Sequence, residues 1–413
     1  MRIEVAYGSS LLPAEIPKEN MIGILEPETL PITNDEGHII SEALRSQATV
    51  LAPKKSASKV AIVVDDRTRE TPTRKILLPL LKKLEHEGVQ SSRITIIFAC
   101  GVHRAVKPEE AQKLLGTDIT EKYDAISHDS RSRDLIDVGV TKTFGNKVAI
   151  NKQYFDADCR ILTGDVELHY YAGYGGGRKS VLPGISSESS VQRNHSMLFH
   201  PNARIGNLEG NPVHIDMTEG ARLAPPNLTI NIVKDSRGRI IGTFAGDMDE
   251  VLHSGSKLVD RLYKVPIQRK ADMVVVGAGG YDIDFYQAYK AIHTALCALK
   301  DGGKLIVAAE CRDGHGSELF YDWIQRYSDK NEIKRVLEEN FILGGHKAYL
   351  ILDALSRASI SVVTKMPEPL VKKMRVEYAP SLQEAIDDGV KANPKASIYV
   401  ITKGGSTLPV LST

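Results

Sequence analysis

Cysteine, net charge and long apolar runs are all scarce in this sequence of 413 residues. The four cysteines are widely scattered, and no two of them form a Cys-x-x-Cys pair. Their spacing argues against a disulfide framework and against a structural zinc site, because both need clustered ligands. We expect buried, reduced thiols at all four positions, which are Cys100, Cys159, Cys297 and Cys311.

The near absence of net charge argues against a second set of functions. A formal charge of +1 gives no support for a nucleic-acid partner or for binding to an anionic membrane surface. No apolar run approaches the roughly 20 residues that span a bilayer. The opening MRIEVAYGSSLLPAEIP also lacks the charged-then-apolar form of a signal peptide. We therefore expect a cytoplasmic protein that has neither nucleic acid nor membrane as a partner.

What the sequence does contain is an alternation of short Val- and Ile-rich runs with longer helical patterns. Runs typical of buried strands lie at 59–66, 93–101, 159–166, 271–280, 303–310, 358–366 and 396–405. Helical patterns separate many of them, and residues 288–303 form one such pattern that ends at a glycine. The alternation predicts an α/β fold with mostly parallel sheets.

A polar stretch near 265–270 interrupts this alternation, which restarts after it. We therefore predict two α/β domains, residues 1–265 and 266–402, with the tail of about 403–413 returning to the first. In open α/β sheets, ligands bind beyond the carboxyl ends of the strands. The polar residues that follow the strands of both halves are therefore expected to gather in one cleft between the domains.

The most distinctive segment, GDVELHYYAGYGGGRKSVLPG at 164–184, follows a predicted strand. The phosphate-binding loop of nucleoside triphosphatases needs glycine directly before its lysine, and Arg178 stands there instead. The backbone N–H groups of residues 175–177 could still surround an anion, although a plain connecting loop also explains the glycines. Lys179 could form a covalent link to a cofactor or serve as a simple counter-charge. The residues alone leave both questions open.

Several polar residues at predicted strand ends are candidates for chemistry. His103 and His169 could flank one substrate and each exchange a proton near neutral pH. Arg69 could hold a carboxylate or phosphate with Asp66 orienting it, although a solvated turn fits this segment too. His195 fits no two-histidine metal pattern, so on its own it predicts a solvated helix histidine. The glycines at 277–280 lack the third glycine of a dinucleotide fingerprint.

Five segments taken together carry a family resemblance, and they occur in order along nearly the whole chain. They are DDRTRETPT (65–73), GVHR (101–104), HYYAGYGGGRKSVLPG (169–184), RNH (193–195) and YQAYK (286–290). With these segments the sequence resembles the nickel-dependent lactate racemase family. The resemblance implies two α/β domains with the active site between them.

The resemblance also implies a cofactor and a set of site residues. The cofactor is a nickel-pincer nucleotide, a pyridinium-3-thioamide-5-thiocarboxylic acid mononucleotide that is covalently joined to a lysine, which by position is Lys179. Its nickel takes two sulfurs and a ring carbon from the cofactor and a histidine from the protein, which matches His195. The catalytic histidines match His103 and His169. The remaining site residues are Asp66, Arg69, Gly175, Gly176, Gly177 and Arg178 on the cofactor side, and Arg69, Tyr286, Gln287 and Lys290 on the substrate side.

The function implied by the resemblance is inversion of C2 of a 2-hydroxy acid, with lactate as the default substrate. Hydride leaves for the cofactor and returns to either face of a flat 2-keto acid, while the two imidazoles exchange the hydroxyl proton. The cofactor has to be made and loaded by other proteins. A net 2-hydroxy-acid oxidoreductase, a relative acting on malate or a sugar acid, and a non-enzymatic anion binder stay open as alternatives. So does the choice of Arg69 or Lys290 for the substrate carboxylate or the cofactor phosphate.

Overall fold

The computed structural model describes residues 1–31, 35–47 and 58–412 and confirms the α/β fold with mostly parallel sheets. The chain divides into two compact units, one of Met1–Glu28 with Arg261–Thr413 and one of Thr29–Asp260. Within the described ranges, no helix is both long enough and apolar enough to cross a membrane. All four cysteines are free thiols, with Cys100 and Cys311 buried and the other two half-buried.

The strands are numbered in chain order. They are β1 (Arg2–Tyr7), β2 (Ser10–Glu15), β3 (Met21–Leu25), β4 (Val60–Asp65), β5 (Ile94–Ala99), β6 (Asp124–Ser127), β7 (Ile136–Val140), β8 (Lys147–Ile150), β9 (Cys159–Asp165), β10 (Leu168–His169), β11 (Gly173–Tyr174), β12 (Leu228–Lys234), β13 (Ile240–Gly246), β14 (Lys264–Ile267), β15 (Ala271–Gly277), β16 (Leu299–Ala308), β17 (Ala358–Val363), β18 (Glu377–Ala379), β19 (Ile398–Ile401) and β20 (Leu408–Leu411).

The α-helices of the described residues are numbered in the same way. They are α1 (Glu36–Arg45), α2 (Thr73–His86), α3 (Pro108–Leu115), α4 (Thr117–Lys122), α5 (Lys152–Phe155), α6 (Glu188–His195), α7 (Pro212–Leu223), α8 (Met248–Tyr263), α9 (Phe285–Ala295), α10 (Glu318–Arg326), α11 (Lys330–Glu339), α12 (Gly345–Arg357), α13 (Glu368–Lys373) and α14 (Leu382–Ala392). Short 3₁₀ helices lie at Ser91–Arg93, Gly177–Ser180 and Ser196–Phe199.

The unit Thr29–Asp260 is built on a six-stranded sheet in the order β13-β12-β9-β4-β5-β6. Its neighbouring strands are parallel except for the antiparallel pair β12 and β13. Both faces are buried, because alternate residues of β4 enter two different core clusters: Ile62 and Val64 pack in one, and Ala61 and Val63 in the other. This explains why its central strand reads as a continuous apolar run rather than an alternating one.

The other unit has a wholly parallel sheet in the order β18-β17-β16-β15-β19-β3. The run Met273–Val276 of β15 is at most 1% exposed, so this sheet is also covered on both faces. A hairpin of β1 and β2 belongs to this unit, as does the short parallel pair β14 and β20.

The structure differs from the sequence-based predictions in three places, two in the division of the chain and one at the end of a helix. Residues 1–28, predicted in the first domain, lie with 261–413 because β3 pairs with β19. The tail also stays in that unit, where β20 pairs with β14. The helix predicted at 288–303 ends at Ala295, and its last residues begin β16 at Leu299. A shift in register between β15 and β16 accommodates the Gly302–Gly303 segment there, which sequence periodicity does not reveal.

Candidate active site

His103 and Asp66 follow two adjacent parallel strands, β5 and β4, at the carboxyl edge of the sheet. Asp66 is 3% exposed, and its Oδ2 lies 2.8 Å from Nδ1 of His103. The other carboxylate oxygen accepts hydrogen bonds from Thr68, from N–H at 3.0 Å and from Oγ1 at 2.6 Å. Burial opposes ionisation, but the hydrogen bonds from His103 and Thr68 keep the pKa of Asp66 below its ordinary value. Because a carboxylate only accepts, the neutral His103 ring carries its proton on Nδ1 and a lone pair on Nε2.

Arg69 is near this pair but is bound differently from the prediction. Its Nη1 lies 3.5 Å from Oε1 of Glu167, whereas the carboxylate oxygens of Asp66 are bonded to His103 and Thr68. Burial works against the charge of Arg69, but Glu167, Asp65 and other nearby acids raise its pKa above the ordinary value. Arg69 is therefore a half-buried, permanently charged group in an acidic setting.

A neighbouring charge cluster was not found from the sequence. Burial and the nearby Asp165 raise the pKa of Asp65 well above its ordinary value, while Thr71 donates to Asp65 Oδ2 at 2.6 Å. Asp165 forms an ion pair of 2.9 Å with Lys234. The only sequence signal was the position of the two aspartates at the ends of β4 and β9. Lys234 was not found because it ends β12, which lies beside β9 only in the folded sheet.

His169 ends β10, the first strand of a small hairpin whose second strand begins at Gly173. The ring is 7% exposed and stacks on Tyr170 at 4.9 Å between centroids, with the edge of Tyr171 at 4.5 Å. The backbone N–H of Ala172 donates to Nδ1 of His169 at 3.2 Å. Sequence reasoning placed this histidine at a strand end but gave no information about its partner.

The glycine loop does not leave all three amides free to surround an anion. Gly175 donates its N–H to the carbonyl of Glu167 at 2.7 Å, and Gly177 donates to Oδ1 of Asn231 at 2.8 Å. Gly176 has φ of +78°, and a Cβ there would lie 2.9 Å from the carbonyl oxygen of Asp165. Gly176 is thus required by close packing of the loop against the end of β9, and the N–H groups of Gly175 and Gly177 already have acceptors within the protein. The place of these glycines on the cofactor side stays a prediction.

Arg178 was predicted on the cofactor side, yet its side chain is fully buried, and its guanidinium donates hydrogen bonds to other groups of the protein. Its Nε donates to Nδ1 of His214 at 3.1 Å, and Nη2 donates to the carbonyl of Ala172 at 3.0 Å. Nη1 donates to the carbonyls of Gly175 and Gly176 at 3.3 and 3.1 Å. Burial lowers the pKa of Arg178 to about 9. The guanidinium therefore braces the loop from inside, and the next residue, the half-buried Lys179, lies in the 3₁₀ helix Gly177–Ser180.

His195 is the last residue of α6 and is 5% exposed, so the solvated histidine expected from its local sequence is wrong. The Asn194 amide nitrogen donates to the carbonyl of Val213 at 3.1 Å and to Oδ2 of Asp216 at 2.8 Å. Its oxygen therefore faces His195, 3.2 Å from Nδ1. This places the ring proton on Nδ1 and the lone pair on Nε2.

Burial and the charges of Lys179 and His103 lower the pKa of His195 to about 3, so the ring is neutral at physiological pH. A neutral imidazole whose other nitrogen is fixed by a hydrogen bond is the form in which histidine binds a metal. Asp216, which accepts the hydrogen bond from Asn194, is fully buried and also accepts hydrogen bonds from Thr141 and Asn146. Its role was missed, since only the three-dimensional fold brings α7 beside α6.

These side chains converge within the unit Thr29–Asp260. The ring of Tyr171 packs against both His169 and His195, with centroid distances of 4.5 and 5.2 Å. The charges of His103 and Lys179 both act on His195. Over the ranges that the structure describes, no three His, Cys, Asp or Glu side chains are grouped so as to hold a metal by themselves.

The remaining predicted residues belong to the other unit and share α9. Asp284 caps this helix by accepting the N–H of Gln287 at 2.7 Å. Nζ of Lys290 lies 4.5 Å from the ring centroid of Tyr281, and Tyr286 has the ammonium of Lys347 at 5.0 Å from its ring. Lys347 is 2% exposed, and the sequence gave no indication of this buried cation. Whether these groups share a site with His103 stays a prediction.

Comparison with known proteins decides the family. The family model described as "Lactate racemase N-terminal domain" matches residues 7–206, and the model described as "Lactate racemase C-terminal domain" matches residues 267–408. The chain belongs to the lactate racemase family, a family of isomerases. A lactate racemase of Thermoanaerobacterium thermosaccharolyticum is 32% identical, over 98% of this chain and 98% of its own. A lactate racemase of Lactiplantibacillus plantarum is also 32% identical, over 97% of this chain and 98% of its own.

Two solved structures are similar to this chain over nearly its whole length. The lactate racemase apoprotein from Thermoanaerobacterium thermosaccharolyticum has a TM-score of 0.92 at 32% identity, covering 99% of this chain and 100% of that one. A protein from Thermotoga maritima has a TM-score of 0.71 at 20% identity, covering 93% of this chain and 100% of that one, and shares the fold.

The hairpin that carries His169 gives a stability prediction for this family member. Gly173 has φ of +79°, and a Cβ there would lie 2.2 Å from the carbonyl oxygen of Asn207. Gly145 has φ of +63° but has open space around its Cβ position. We expect Gly145→Ala to cost about 1 kcal/mol of unfolding free energy from backbone strain alone, and Gly173→Ala to cost at least about 3 kcal/mol. Urea denaturation of both variants measures the difference, and equal losses would contradict the crowding at Gly173.

Proposed function

We propose that this protein inverts C2 of a 2-hydroxy acid, with lactate as the default substrate. The observation that supports this best is the His103–Asp66 pair, 2.8 Å apart, which gives His103 the tautomer of a general base. Lys179 and the neutral, buried His195 lie in the same unit. Two relatives that match over nearly their full length are named lactate racemase.

We further propose that the cofactor is a nickel-pincer nucleotide joined covalently to Lys179, with His195 as the protein ligand of nickel. The site fits such a group, because Asn194 fixes the proton of His195 on Nδ1 and the ring is held neutral. When bound, the cofactor supplies the acceptor for the hydrogen of C2, which leaves as hydride. Proteins that synthesise the cofactor are the expected partners for loading.

The protein's own part is to bind the acid and to move its hydroxyl proton. Nε2 of His103 accepts that proton, so the O–H bond breaks, an N–H bond forms and the electron pair stays on oxygen. Arg69 is one candidate for the substrate carboxylate, because two N–H groups of a guanidinium match two carboxylate oxygens. Lys290 of the other unit is the second candidate. His169 is proposed for the opposite face of the planar keto acid.

The test is a panel of enantiopure 2-hydroxy acids, including lactate, malate and a sugar acid, incubated with cofactor-loaded enzyme and resolved by chiral chromatography. Inversion without net keto acid supports the proposal, and the fastest substrate identifies the acid. Stoichiometric keto acid in the presence of a soluble acceptor would instead favour a net oxidoreductase. No turnover of any acid after loading has been verified by mass would contradict the proposal.

A further inference from the structure

We propose that the two imidazoles assigned to proton transfer are not equivalent: in its neutral form His103 carries a lone pair at Nε2, whereas His169 carries the N–H there. The catalytic meaning of this difference rests on the proposed function, but the tautomers follow from hydrogen bonds alone. They come from two kinds of partner, a carboxylate that only accepts and a backbone amide that only donates.

His103 is paired with a carboxylate, that of Asp66. Its Nδ1 lies 2.8 Å from Oδ2 of Asp66, whose other oxygen is occupied by the two donors of Thr68. The lowered pKa of Asp66 keeps it an ionised acceptor at neutral pH. Nδ1 of the neutral His103 ring therefore carries the proton, and Nε2 can take the hydroxyl proton directly.

At His169 the direction of the hydrogen bond to Nδ1 is reversed, because the partner is a donor. The Ala172 N–H donates to Nδ1 at 3.2 Å, so the lone pair of the neutral ring is on Nδ1 and the proton is on Nε2. Turning the ring over would place a carbon opposite this N–H. Ala172 is fully buried, so its unmatched donor would be costly. The contacts with Tyr170 and Tyr171, at 4.9 and 4.5 Å, also hold the ring in its orientation.

Arg178 is the positioning residue behind this arrangement. Its Nη2 donates to the carbonyl of Ala172 at 3.0 Å, and its other donors hold the carbonyls of Gly175 and Gly176 and the ring of His214. One buried guanidinium thus fixes both the residue that sets the tautomer of His169 and the loop that leads into Lys179. This explains why arginine, rather than the glycine of a phosphate-binding loop, precedes the lysine.

The consequence is an asymmetry between the two faces of the substrate. An acid whose hydroxyl faces His103 can lose its proton to the tautomer already present. An acid whose hydroxyl faces His169 meets an N–H, and Nε2 can accept only after the ring proton has moved to Nδ1, where the Ala172 N–H lies. Enantiomers have equal free energies, so kcat/KM must be equal in the two directions. The asymmetry has to appear in kcat and KM separately.

The deciding experiment is nitrogen NMR of the full-length protein labelled with ¹⁵N-histidine, at a pH where both rings are neutral. His103→Gln and His169→Gln assign the two rings. We expect the ring proton on Nδ1 for His103 and on Nε2 for His169. A proton on Nδ1 of His169 would overturn the inference, whatever the enzyme turns out to catalyse.

Arg178→Lys tests the positioning role, because one ammonium cannot replace donors that reach four acceptors. We expect mixed tautomers at His169 and an unchanged His103, whose partner Asp66 lies outside the loop. An unchanged His169 would refute the role of Arg178, and if the variant does not fold, the wild-type spectrum still decides the tautomers. In loaded enzyme, kcat for the two enantiomers should differ by at least about fivefold, the factor of one net hydrogen bond, and by up to the roughly 10²–10⁴ expected for a base held in the wrong tautomer. Equal kcat values would show that the tautomers have no effect on catalysis. If the loaded enzyme inverts no acid at all, the proposed function is wrong, but the NMR result for the tautomers still stands.

Discussion

Lys179→Ala should abolish both the covalent cofactor adduct and all racemisation. The amine of Lys179 is the proposed point of attachment, and alanine has no nucleophile to replace it. The residue is half-buried in the 3₁₀ helix Gly177–Ser180, directly after the braced Arg178. Intact-protein mass spectrometry after loading measures the adduct directly, and the racemisation assay measures the loss of activity.

Two further variants separate covalent attachment from the effect of charge. Lys179→Arg keeps a cation at this position but removes the amine, so it should be as free of adduct as Lys179→Ala. Lys147→Ala changes an exposed lysine of β8 and should load and racemise like the wild-type protein. An adduct of full mass on Lys179→Ala would place the attachment elsewhere and refute the assignment.

The fold was predictable where the physics is local. Val- and Ile-rich runs such as Val60–Asp65 are buried on both faces, and such runs predict parallel strands without any knowledge of their neighbours. The position of residues 1–28 was not predictable, because it depends on β3 pairing with β19 at the other end of the chain. The end of α9 was also missed, since residues 299–303 continue into β16 through an irregular register.

In the candidate site, too, local features were predictable and contacts between distant residues were not. Strand-end positions pointed to His103, Asp66 and His169, because parallel strands bring their carboxyl ends to one edge. The partners that decide their chemistry were not visible: Asp66 is 37 residues from His103, and the amide that binds His169 belongs to the backbone. The resemblance placed Arg178 on the cofactor side, but a sequence does not show which way a side chain points, and the side chain of Arg178 is fully buried among protein acceptors.

Asp66→Asn should cost as much activity as His103→Ala, although it leaves the imidazole in place. Thr68 donates twice to Oδ1 of Asp66, so the amide of an asparagine would keep its oxygen there and turn its NH₂ toward His103. That NH₂ would donate to Nδ1 and force the proton of the neutral ring onto Nε2, which removes the lone pair needed for the hydroxyl proton. We expect kcat to fall by roughly 10²–10⁴ in both variants, the range for loss of a general base or of its tautomer.

The stability of the same variant reports the charge of Asp66 independently of activity. Because the pKa of Asp66 is lowered in the folded protein, its ionised form stabilises the fold above the ordinary value near 4, and this contribution disappears as pH falls through the folded pKa. At pH 7 we expect Asp66→Asn to unfold with about 1–2 kcal/mol less free energy than wild type, and the difference should shrink as the pH falls below the ordinary value of the carboxyl. Urea denaturation at a series of pH values from 7 downward measures this. A wild-type level of activity in Asp66→Asn, with the expected loss of stability, would show that the carboxylate supports the fold but does not set the tautomer of His103.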